Sequence, residues 1–136
     1  MKREDKFAII VGGGIGGLTA ALALARAGWT CHVLEAAPEI GEVGAGLQLS
    51  PNAMKVLRAL GLEGAIRAVA FEPEALELRL GRSGRQVFSV PVGKQADARW
   101  EAPYLHIHRA DLLDVLAQAA VRHPDIGISL GSRIDG

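Results

Sequence analysis

The run Gly12-Gly13-Gly14-Ile15-Gly16-Gly17 limits this chain more than any other feature, because of what stands on either side of it. Before it, Phe7-Ala8-Ile9-Ile10-Val11 is a short apolar run rich in β-branched residues, the pattern of a strand covered on both faces. From Ile15 to Ala27 alanine and leucine dominate, proline is absent and the first charge is Arg26. This predicts a helix that is apolar almost all round and buried, closed by Gly28 at its C′ position. Thr30-Cys31-His32-Val33-Leu34 predicts a second strand. A strand, helix and strand joined this tightly make a right-handed unit with parallel strands.

Within that context the glycines match G-x-G-x-x-G, and each has a physical task. Gly12 permits the sharp turn out of the strand, Gly14 lacks the Cβ that would keep a pyrophosphate from the backbone, and Gly17 lets the helix approach the sheet. Unpaired amides at the helix N-terminus, with the positive end of its dipole, suit a diphosphate without any lysine. No Gly-Lys-Ser/Thr ending follows, which argues against a nucleoside-triphosphate P-loop. The second strand ends in Glu35, at the offset where an acid accepts hydrogen bonds from both ribose hydroxyls and repels a 2′-phosphate. The fold class is therefore α/β, with a Rossmann-like FAD/NAD(P)-binding βαβ domain. Gly12, Gly14, Ile15, Gly16, Gly17, Glu35 and Ala36 are its expected cofactor-binding residues. The fingerprint alone leaves FAD and NAD equally open, since both present the same adenosine diphosphate end.

The rest of the chain is more varied. Residues 36–46 read as a glycine-containing loop, and Pro51 to Leu60 as a helix with Ser50 as N-cap and Gly61 at its close. Residues 64–70 add a short helix. Leu76, Leu78 and Leu80 alternate with charged residues, predicting a strand with one wet face that returns through a hairpin at 81–84 into Gln86 to Val90. Residues 91–103 look irregular. Tyr104 to His108 predicts a strand, Ala110 to Arg122 a helix stopped by His123-Pro124, and Ile126 to Leu130 a last strand. The expected segments are 1–70 for nucleotide binding, 71–108 for the start of a β-rich region, and 109–136 for a returning helix and strand.

Composition narrows the function classes. Fifteen Lys+Arg against 15 Asp+Glu leave no net charge, so the broad positive field that nucleic acid or an anionic membrane attracts is missing. The weakly polar stretch from Phe7 to Ala25 is long enough for a bilayer but carries five glycines at its centre, where a spanning helix would break. The charged residues 1–6 resemble no secretory signal, and the single Cys31 reads as a small buried residue, which places the protein in the cytoplasm. His106 and His108 share a strand face, yet only Asp111 accompanies them near ligand spacing, so no metal site is expected.

The residues from Ile9 to Glu35, continued by Gly41-Glu42-Val43-Gly44-Ala45-Gly46-Leu47-Gln48-Leu49-Ser50-Pro51-Asn52-Ala53, resemble the N-terminal part of class A FAD-dependent aromatic monooxygenases, the salicylate hydroxylase-like branch in particular. His108-Arg109-Ala110-Asp111-Leu112-Leu113 is similar to that family's Arg-x-x-Leu helix start, whose arginine contacts the cofactor. The resemblance implies FAD as cofactor and NAD(P)H as co-substrate. It implies hydroxylation by molecular oxygen of a small aromatic acid such as a salicylate-like compound. It adds Gly46, Leu47, Gln48 and Arg109 to the cofactor-binding residues and assigns no catalytic side chain. Two later motifs of the family, an Asp-Gly and a Gly-Asp segment, have no match here, and Asp135-Gly136 reads as a turn. The domain is thus expected to be incomplete, with the start of a β-rich substrate-side sheet. A sheet edge and an apolar face would be left open for a second copy to cover. The rival readings are another FAD-dependent oxidoreductase, against which the Gly44-Ala45-Gly46-Leu47-Gln48 continuation speaks, and a noncatalytic nucleotide-binding remnant, which the short length favours.

Overall fold

A computed structural model describes residues 6–41 and 44–135. Met1 to Asp5, Glu42, Val43 and Gly136 lie outside the described residues, and with them the charged N-terminus, two residues of the loop motif and half of the expected final turn. The chain clusters into two compact units, one formed by the residues up to Ala45 together with those from Arg109 onward, the other by Gly46–His108.

The first unit holds β1 (Phe7–Val11), α1 (Ile15–Arg26), β2 (Thr30–Leu34), α5 (Arg109–Arg122) and β7 (Ile126–Ser129). Its sheet has the order β1-β2-β7, all parallel, with Phe7 opposite Thr30 and Cys31 opposite Ile126. One face carries Cys31, Val33 and Ile126, all buried, and packs against α1. Burial pushes the Cys31 thiol up, with the Asp125 charge adding to it. Helix α1 packs in turn against α5. Gly28 closes α1 at φ +85°, the left-handed conformation expected of a C′ glycine.

Two expectations for this unit are corrected. β1 is not covered on both faces, since Phe7, Ile9 and Val11 are 55, 62 and 67% exposed. A continuous apolar run shows that both faces suit burial, not that the chain at hand supplies both covers. Nor is α1 buried all round: Leu18, Ala21, Leu22 and Ala25 form one buried stripe, while Ala20 and Ala23 are exposed. Alanine packs or faces water at little cost either way, so an alanine-rich helix overstates its own burial.

The second unit holds β3 (Gly46–Leu49), α2 (Pro51–Ala59), α3 (Glu63–Val69), β4 (Ala75–Arg79), β5 (Gln86–Pro91), α4 (Lys94–Trp100) and β6 (Leu105–His108). β3 pairs antiparallel with β6, Gln48 opposite His106, and β4 with β5 as the expected hairpin. Two of these elements differ from the sequence reading. Gly46–Leu49 is a strand, where the reading ended a loop at Gly46 and assigned no element to residues 47–49, and residues 94–100 form a helix within the segment read as irregular. Neither has enough residues to show a period. Only Ala96 of α4 is buried, packed with Val92 and Tyr104. The expected dry face of the hairpin is dry only at Leu76, which packs on that cluster, because Leu78, Leu80, Val87, Phe88 and Val90 are all exposed. Among the described residues no helix is long and apolar enough to cross a membrane.

An ion-pair network ties α2 to α3. Glu63 accepts hydrogen bonds from Arg58 and, at 3.1 Å, from Arg67, while Arg58 also donates to the Glu101 carbonyl at 2.7 Å. The Arg58 hydrogen bond, helped by Arg67, holds the Glu63 carboxyl at about 2, down from its ordinary 4.5. A folded-state value below the unfolded one stabilises the protein fully above pH 4.5, and the contribution is lost as pH falls towards 2. Glu63→Gln should therefore lower the urea midpoint at neutral pH, and its gap from the parent should close across that acid range. A gap that stays constant with pH would mean that the charge of Glu63 does not stabilise the fold.

Candidate functional site

The chain leaves β1 through Gly12, at φ +102°, a conformation that side chains rarely adopt. The Gly12 amide donates to the Leu34 carbonyl at 2.8 Å, which ties the turn to the end of β2. Gly14 is the N-cap of α1, with extended backbone and no side-chain cap, and the first helical bond runs from the Leu18 amide to the Gly14 carbonyl at 3.0 Å. The amides of Ile15, Gly16 and Gly17 precede that bond and have no acceptor within the helix.

Three glycines at the opening of α1 differ in what demands them. A Cβ built on Gly17 would lie 1.9 Å from the Gly12 carbonyl oxygen and 3.4 Å from Ile10 Cγ2, so packing of helix on strand requires glycine there. A Cβ on Gly14 or Gly16 would meet nothing within 4 Å. Helix packing accounts for Gly17, whereas no neighbouring protein atom demands glycine at Gly14 or Gly16.

Glu35 follows β2, and both its carboxylate oxygens are held by the backbone. Oε2 accepts from the Gly13 amide at 2.5 Å and Oε1 from the Ala37 amide at 2.8 Å. These bonds, Ala37 first and then Gly13, with a smaller one from Ala36, outweigh desolvation and keep the carboxyl below its usual range. A carboxylate has about four acceptor positions, and these backbone bonds do not fill them all, so acceptor capacity is left for a hydroxyl donor. The neighbouring Ala36 is exposed.

Gly13, Gly14, Glu35, Ala37 and Arg109 line one cleft of about 170 Å³, with Glu39 on its rim and Ile40 and Leu113 as apolar wall. That volume is below the roughly 300–1,000 Å³ of a complete small-molecule site. Arg109 begins α5, its amide donating to the Ala45 carbonyl at 3.2 Å. A Cβ on Gly44 would lie 3.0 Å from Arg109 Cβ and 3.3 Å from its Cδ, so Gly44 makes room for the arginine stem. A guanidinium at a helix N-terminus adds to the positive end of the dipole, and together they favour an anion.

The first unit thus gathers Gly12, Gly14, Ile15, Gly16, Gly17, Glu35, Ala36 and Arg109. Gly46, Leu47 and Gln48 belong to the second unit, on β3, with Gly46 and Gln48 exposed and Leu47 half-buried. Sequence reasoning passed over Gly13 and Ala37. Their contributions are backbone amides, which every residue type but proline carries, so no side-chain pattern marks them. Gly13 alone had a signal, since a Cβ there would press on Glu35 Cβ and Oε2 at 3.1 Å. His106 and His108 do share a face of β6, and the buried Nε2 of His106 lacks a hydrogen-bond partner among the described residues.

Comparison with known proteins adds the following. The model of a family described as FAD binding domain matches residues 6–135. The chain is 40% identical over 131 residues to a 3-amino-4-hydroxybenzoate 2-monooxygenase of Streptomyces platensis, covering 93% of this chain and 33% of that protein. It is 44% identical over 111 residues to 3-hydroxybenzoate 6-hydroxylase 1 of Aquipseudomonas alcaligenes, covering 82% of this chain and 28% of the other. Among solved structures, the tetrameric form of 2-methyl-3-hydroxypyridine-5-carboxylic acid oxygenase superposes with a TM-score of 0.81 at 27% identity, over 95% of this chain and 32% of that one. The chain spans about a third of the length of the curated relatives it matches.

Proposed function

This chain belongs to the FAD-binding-domain family, and from that premise we propose that its first unit holds the adenosine diphosphate end of FAD. The amides of Ile15, Gly16 and Gly17 take the diphosphate, Gly12 and Gly14 let it approach, and Arg109 adds a charge-assisted contact. Glu35 accepts the ribose hydroxyls, with Ala36 beside it. Gly46, Leu47 and Gln48 on β3, the first and last of them exposed, are the proposed contact of the flavin ring. The observation that carries this reading is the open space over Gly14 and Gly16, which stands against the close fit at Gly17.

Bound FAD supplies the electron transfer and oxygen chemistry, and these residues bind and orient it. The proposed reaction of the whole protein is NAD(P)H-dependent hydroxylation by molecular oxygen of a small aromatic acid of the hydroxybenzoate or salicylate kind, in the cytoplasm. The names of its relatives support that substrate class. Self-association through the exposed Phe7, Ile9 and Val11 is part of the proposal, in keeping with the tetrameric neighbour.

Titration of the protein into FAD tests the cofactor half: flavin fluorescence should change on binding, and ADP should compete. Because the Glu35 carboxyl sits below its ordinary 4.5, the acid stays charged as pH falls through that value. Affinity for FAD, whose doubly esterified diphosphate does not ionise in this range, should therefore hold steady from pH 8 to about 5 and drop only below the usual glutamate range. A fall centred near pH 6 would take the ribose contact away from Glu35. Hydroxybenzoate-stimulated oxidation of NAD(P)H by the flavin-loaded protein tests the substrate half.

A further inference from the structure

The acid at the end of β2 is held from two sides. On one, the Ala37 amide binds Glu35 Oε1 and the Gly13 amide binds Oε2. On the other, the turn Leu130–Ser132 after β7 grips the same short segment. The Gly131 amide donates to the Ala37 carbonyl at 2.8 Å and the Ser132 amide donates to the Glu35 carbonyl at 2.8 Å. The Ser132 hydroxyl closes the turn on the Leu130 carbonyl at 3.3 Å. Ala37 is therefore tied at both ends, its carbonyl to the turn and its amide to the carboxylate.

Gly131 is what allows the turn to do this. Its φ is +60°, which side chains rarely adopt, yet a Cβ there would meet nothing within 4 Å. A substitution at this position acts through backbone conformation alone. Neither Gly131 nor Ser132 lines the cleft that contains Glu35.

We propose that the Leu130–Ser132 turn is a positioning element for nucleotide recognition: by fixing residues 35–37 it aims the Glu35 carboxylate at the ribose, and so sets the preference for a free 2′-hydroxyl. This rests on the reading of Glu35 as the ribose acceptor. The sign of the effect follows from hydrogen-bond geometry. A bond to a charged acceptor weakens steeply once its angle is lost, whereas contacts to the diphosphate do not pass through this turn.

The test compares ADP with 2′-deoxy-ADP by titration calorimetry, using the full chain and its Gly131→Val, Gly131→Asn and Glu35→Gln variants. The parent should prefer ADP by about tenfold, the worth of one hydrogen bond to a charged group. Gly131→Val should bring the ratio close to one by weakening ADP while 2′-deoxy-ADP binds as before. Gly131→Asn, which tolerates the left-handed conformation, should restore the ratio. Added to Glu35→Gln, Gly131→Val should change the ratio no further. A preserved ratio in Gly131→Val, or equal loss of both nucleotides, overturns the proposal. A parent that does not discriminate, together with a silent Glu35→Gln, removes the ribose reading itself and the proposal with it. Should Gly131→Val lose its far-UV circular dichroism, Gly131→Ala, with its smaller backbone penalty, decides between the same outcomes.

Discussion

Gly17→Ala should destabilise the protein by about 3 kcal/mol and cost it nucleotide binding as well. The added methyl would lie 1.9 Å from the Gly12 carbonyl oxygen and 3.0 Å from the Gly12 carbonyl carbon, both backbone atoms that cannot rotate away. Relief requires either that α1 lift from β1 or that the turn at Gly12 change its φ. Gly12 already uses a conformation that only glycine adopts readily. Alanine gains about 1 kcal/mol over glycine from helix propensity, which offsets only part of the clash. Since the same shift moves the helix opening away from its place beside Glu35, binding and stability should fall together. Urea midpoints and flavin titration check both, and a variant of parental stability would show that the close approach of helix to strand is not needed.

Gly14→Thr should behave in the opposite way, folding as the parent does while FAD affinity drops by about a hundredfold, close to two charge-assisted bonds. The backbone at Gly14 is extended, with φ −77° and ψ −174°, which a β-branched residue adopts without strain. Threonine caps a helix about as well as glycine, and its Cβ meets no protein atom within 4 Å. The side chain instead occupies the approach to the helix opening, where its hydroxyl competes for the amides proposed to bind the diphosphate. Unchanged affinity would place the diphosphate elsewhere. The pair of variants separates a glycine that serves the fold from one that serves a ligand, although the two stand three residues apart in one motif.

The βαβ unit was legible almost residue by residue. β2 spans the five residues expected, β1 likewise, and α1 begins at Ile15. The signals there are local: a β-branched run, glycines at turns, a helix former at every other place. β3 and α4 were not legible for the same reason in reverse. β3 is four residues long and held by its register with β6, and α4 is seven residues long with Ala96 alone buried, too little to mark a helical face. Arg109 was suggested by resemblance, and its place in the cleft with Glu35 depends on α5 returning to pack on α1.

From composition and order alone came the glycine turn, the helix it opens and the acid that follows, because each is a steric or charge requirement acting within a few residues. Folding in three dimensions added the amides of Gly13 and Ala37 that hold that acid, the turn after β7 behind them, and the exposed face of β1. Those depend on which distant backbone groups meet, and a backbone amide looks the same in every residue that could supply it.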